Sequence, residues 1–182
     1  MTTCWPGNSS TMDLPEFSRM IAIRQIDARR HRLVASEQEC AALAQRFGLV
    51  EVKSLSAELE LKRQGEEIAV SGSMDAAIVQ SCAVTGEDLP VAIHEELAFR
   101  FVPEHRAEAG SDEEIELEAD DLDEIPYAGD SIDIGEAVAQ SLALAIDPYA
   151  IGPGAEEVRK QAGLLDEALS GPFAALRSLK QD

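Results

Sequence analysis

The sequence predicts an α+β domain. A curved antiparallel β-sheet, barrel-like at its most curved, is packed by two main helices, with an acidic loop and a C-terminal helical segment added. Three observations predict it. Apolar residues alternate with polar ones in three successive runs joined by short turns. A capped amphipathic segment stands on each side of that block. A run of carboxylates separates the third alternating run from the second helix.

Residues 1–16 are polar, unpatterned and contain Pro and Gly, as a flexible N-terminal tail does. Residues 17–182 form one domain, a size suited to a single core. "SRMIAI" has strand character, with Met20 and Ala22 on one side and Ile21 and Ile23 on the other. "DARRHRLVA" reads as a connection. Ser36 and Glu39 fit a capping box, and Cys40, Leu43, Ala44 and Phe47 follow at helical spacing. Gly48 stands where a left-handed cap belongs, so the helix spans 36–48.

Leu55, Ala57, Leu59 and Leu61 alternate with polar residues. "RQGEE" makes a turn, and a second strand runs from Ile68 to Val79 with a bulge expected near Gly72. Val91, Ile93, Leu97, Phe99 and Phe101 mark a third, giving an antiparallel meander. Residues 104–124 hold eleven carboxylates and little counter-charge, the composition of a solvated, mobile loop. They lack the glycine-turned ligand ladder of a calcium loop. Asp133 and Glu136 cap a helix over 133–146. Ile134, Val138, Leu142 and Ala145 line its apolar side, widened by Leu144 and Ile146, and Pro148 ends it. A helical piece, a Gly171–Pro172 break and a short amphipathic end close the chain.

Composition narrows the chemistry. Hydrophobic residues make up 45% and aromatic ones 4%, so the core is aliphatic. No apolar stretch approaches the roughly 20 residues of a membrane helix. The start has no cationic region followed by an apolar one, so no secretory signal and a cytoplasmic address are expected. Cys4, Cys40 and Cys82 are too few and too scattered for a disulfide framework. With no Cys-x-x-Cys or His-x-x-x-His pair, no metal site is expected. No phosphate-binding glycine loop or nucleophile elbow appears, so no catalytic residue, cofactor or small-molecule substrate is nominated.

The net charge of -20 opposes a surface devoted wholly to phosphate. Yet Arg19, Arg24, Arg29, Arg30 and Arg32 cluster against a single acid, Asp27, and they are the candidates for a basic face. Their plain alternative is an ordinary solvated strand and turn. "VQSCAVTGEDLPVAI" poses a similar choice. Cys82 is either a reactive thiol or the end of a strand before a Thr85–Gly86–Glu87 turn. Glu87 and Asp88 oppose thiolate formation, which favours the turn.

"CAVTGEDLPVAIHEELAFRFVP", an acidic spacer, "IDIGEAVAQSLALAIDPYAIGPGA" and "GPFAALRSLK" together resemble the YceD family, in its alphaproteobacterial-type branch. The resemblance covers roughly residues 17–180. Many members of that family carry Cys-x-x-Cys at the strand junction, where this chain has Cys82 and Thr85. It singles out Cys82, Thr85, Gly86 and Glu87 at the turn, and Asp147, Pro148 and Tyr149 at the helix end. It implies a non-enzymatic factor in ribosome biogenesis that supports accumulation of large-subunit (23S-type) rRNA. The partner would be that rRNA, through the arginines, or a basic ribosomal protein, through residues 104–124. The rival from another class is a thiol-dependent enzyme or redox protein using Cys82. The oligomeric state is not legible.

Overall fold

A computed structural model describes residues 16–26, 29–104 and 123–162. Residues 1–15 of the expected tail, 105–122 of the expected acidic loop and the chain beyond 162 lie outside them. The elements in chain order are β1 (Met20–Ala22), a 3-10 turn (Ile23–Gln25), β2 (Arg30–Val34), α1 (Glu37–Phe47), β3 (Glu51–Gln64), β4 (Glu67–Ser81), β5 (Asp88–Pro103), β6 (Asp123–Tyr127), β7 (Ser131–Asp133), α2 (Ile134–Ala145) and α3 (Ala155–Gln161).

β3, β4 and β5 form the expected antiparallel meander, with Gly65 and Gly86 at positive φ in its two turns. Each strand is more than twice the usual length, so the sheet must coil to keep one face on a single core. β3 approaches β4 closely at Gly72. A side chain there would run into the carbonyl oxygen of Glu58 and the Cα of Leu59 on β3. The expected bulge falls instead on β3, between Val52 and Ser54.

Two strands lie outside the expected meander. The arginine-rich connection forms β2, which pairs antiparallel with β3 at one edge. At the other edge, β6 pairs with β5 in parallel, so the sheet is mixed and takes Asp123 and Glu124 from the acidic stretch. Its order is β2-β3-β4-β5-β6, and it stays open rather than closing into a barrel. β1 and β7 make a separate two-stranded pair.

One sheet face is covered. Leu55, Leu59 and Leu61 of β3, Val70, Met74 and Ile78 of β4, and Leu97, Phe99 and Phe101 of β5 are buried with Leu43 of α1 and Val138 and Leu142 of α2. α1 has the expected Ser36–Glu39 capping box and left-handed Gly48. α2 is capped by Asp133, but Glu136 turns away to Arg46 instead of completing a box. Leu144 does not widen the apolar side. It is 85% exposed, because it lies round the helix from Leu142.

Two arginines tie the helices together. The Arg19 guanidinium donates to Glu39 at 2.6 and 3.0 Å and lies over the Phe17 ring. Arg46 of α1 reaches both Glu136 of α2 and Glu16. The Arg19 hydrogen bond holds the Glu39 carboxyl down at about 2, helped by Ser36. A depressed carboxyl pKa stabilises the fold above the ordinary value, 4.5, and that share is lost as pH falls towards about 2. Glu39→Gln should therefore unfold with a shallower pH dependence between 4.5 and 2 than the parent, measured by acid titration of circular dichroism. An identical profile would mean the pair has no net effect.

Candidate functional site

The two segments that the sequence singles out, 82–87 and 147–155, meet in space. Cys82 leaves β4, and its N–H donates to the Glu87 carbonyl while Gly86 N–H returns to the Cys82 carbonyl. Glu87 N–H donates to the Thr85 hydroxyl, which in turn donates to the Glu87 carboxylate. After α2 the chain crosses this turn as a strap. Gln80 donates to the Asp147 carbonyl at 2.8 Å, Ala83 N–H to the Ala150 carbonyl at 3.0 Å, and Tyr149 N–H to the Asp147 carboxylate at 2.8 Å. A Cβ at Gly152 would lie 2.7 Å from a terminal methyl of Leu89, so that side chain would have to move to admit one.

The strap supplies a hydrogen bond to the thiol. Gly152 N–H and Thr85 N–H both point at Cys82 Sγ, each at 3.4 Å. Foremost the Gly152 N–H, then those of Thr85 and Val84, bring the thiol down to about 6. This reverses the expectation drawn from Glu87 and Asp88, because donors aimed at sulfur outweigh acids aimed elsewhere. Cys82 lies outside the main core cluster, yet it is only 4% exposed. These donors favour the thiolate, and burial, which leaves solvent little access to the sulfur, opposes it. Cys40, buried on α1, has its pKa raised by desolvation.

A hydrogen-bonded but covered sulfur serves the turn better than it serves chemistry. Cys82→Ser should cost less than about 1 kcal/mol, because the hydroxyl can accept the same donors. In a chain whose other cysteines are replaced by serine, Cys82 should resist iodoacetamide at neutral pH until denaturant is added. Fast alkylation of the folded protein would favour thiol chemistry.

The five arginines do not converge. Arg19 is committed to Glu39, inside the fold. Arg24 is exposed on the 3-10 turn. Arg29 precedes the edge strand and is exposed. Arg30 and Arg32 stand on the open face of β2, directly across from Glu60 and Glu58 of β3, and Arg32 lies 4.0 Å from Glu58. The same face carries Lys62–Glu60, Arg100–Glu67 and His94–Asp75 pairs. Its middle is Ser56, Ser71, Ser73 and Ala98. Phe99 and Phe101 point into the core, so they offer no stacking platform to bases.

The strap and turn fall within one recognisable stretch. A family model described as "Large ribosomal RNA subunit accumulation protein YceD" matches residues 70–180. The chain belongs to the YceD family. Comparisons with curated proteins and with solved structures find no match. The matched stretch holds β5, β6 and α2 as well as the Cys82 turn and its strap. YceD membership ties the chain to accumulation of large-subunit rRNA. No described helix is long and apolar enough to cross a membrane. Among the described residues, no group of three or more His, Cys, Asp or Glu could hold a metal ion.

Proposed function

We propose that this protein supports large-subunit rRNA accumulation as a non-enzymatic binding factor whose main contact is its acidic surface against a basic ribosomal protein. The observation that carries this reading is the partial charge compensation of the arginine segment, by Glu39 at Arg19 and by Glu58, 4.0 Å away, at Arg32. Arg19 is spent within the fold, and Arg30 and Arg32 face Glu60 and Glu58 across the strand pair. Phosphate binding gains affinity from uncompensated cations that release counterions. Cations already opposed by carboxylates gain less. The eleven acids of 104–124 have a single arginine, Arg106, among them in sequence. They favour a cationic partner through salt-sensitive attraction.

The reading is tested by binding to large-subunit rRNA and to purified basic ribosomal proteins over a salt series. Changing Arg29, Arg30 and Arg32 together to Ala should leave the rRNA salt slope unaltered. Removing residues 108–120 should weaken protein binding. If the triple variant lowers the log–log slope by roughly 0.7–0.9 per lost contact, the arginines touch phosphate and rRNA is the primary partner.

A further inference from the structure

The end of α2 leaves part of the covered sheet face uncovered. There a groove of about 270 Å³ opens between α2 and β5. Leu97 and Phe99 form its floor, and Ser141 and Leu144 its helical wall. Glu95 and Asp123 stand on its rim. Two features are unusual for a surface with nothing to bind. Leu144 is the most exposed of the large apolar side chains described. Glu95 shares the inward face of β5 with Ile93 and Leu97 and pairs with buried Met74, yet it is exposed. Glu95 is hydrated as it stands, and a docked partner that covered it would have to supply a cation in place of that water.

Charge indicates the occupant. β6 enters the fold at Asp123, on the groove rim, directly after the acid-rich residues 105–122. The groove thus combines apolar side chains with carboxylates on its rim. We propose that it docks a lysine- or arginine-rich amphipathic segment of a partner protein, with apolar side chains against Leu97, Phe99 and Leu144 and cations at Glu95 and Asp123. This rests on the acidic-surface reading and adds to it the apolar half of recognition. Charge steers the encounter, and the buried apolar anchors hold the complex.

The test titrates the full chain with two short synthetic peptides of equal lysine content, one with leucines at helical spacing and the other with serines in their place. The Lys/Leu peptide should bind about tenfold or more tightly. Leu144→Ser should remove that advantage and leave both Lys/Ser binding and Tm unchanged. If parent and Leu144→Ser bind the Lys/Leu peptide equally, the groove proposal is overturned while charge attraction stands. If neither peptide binds at low salt, the acidic-surface reading falls with it. A lower Tm for Leu144→Ser would assign the groove to this chain's own residues. Sedimentation showing a dimer that Leu144→Ser dissociates would assign it to a second copy. Either result overturns the proposal.

Discussion

Gly72→Ala should destabilise the protein by at least about 3 kcal/mol, more than overpacking usually costs. The added methyl would meet backbone, the Glu58 carbonyl oxygen and the Leu59 Cα, rather than the end of a flexible side chain. No rotamer relieves that contact. β3 and β4 must move apart, and Leu59 and Leu97, the register partners of Gly72 on either side, would shift with them. Both are buried, so the strain spreads into the core. For a chain of this size the change corresponds to a fall in Tm of roughly 6–12 °C. A loss below about 1 kcal/mol by urea denaturation would show that β3 and β4 can separate freely at this point.

Leu142→Ala should cost roughly 2–5 kcal/mol. Leu142 is fully buried in the middle of α2, among Val138, Ala139 and the apolar side chains of the sheet. Removing its isobutyl group leaves space that small neighbours such as Ala137 and Ala139 cannot fill. Leu142→Met, which nearly conserves volume, should cost less than about 1.5 kcal/mol. The contrast between the two variants separates cavity formation from general intolerance of the site. A Leu142→Ala change below about 1 kcal/mol would mean that α2 is not anchored by this face.

The parts of the fold legible in the sequence are those whose determinants are local. The period-two alternation of Leu55 to Leu61 is present within one strand, and the Ser36–Glu39 box and Gly48 fix α1 from residues inside or beside it. β2 escapes such reading because Arg30 and Arg32 find their counterparts, Glu60 and Glu58, on another strand. β6 escapes because its parallel partner lies beyond a long carboxylate-rich stretch that carries no strand pattern. The candidate site divides the same way. The Thr85–Gly86–Glu87 turn follows from residue type, including the positive φ of Gly86. The lowered Cys82 pKa depends foremost on a Gly152 N–H seventy positions away, which no local charge count contains. Leu144 misleads because an apolar residue two positions from Leu142 lies on the other side of the helix and is exposed.

Asp133 has a consequence for the order in which the chain folds. Its carboxylate accepts from the Ser18 hydroxyl and the Arg19 N–H, partners 115 and 114 positions away, as well as from the first turn of its own helix. Residues 17–22 therefore have no place to settle until residues 131–136 have been synthesised. The β3–β4–β5 meander needs only its two tight turns and can assemble while the ribosome is still making α2. The amino-terminal strand can close only after β7 has been made. It acts as a latch that slows opening of the finished protein and leaves the speed of its formation to the hairpins.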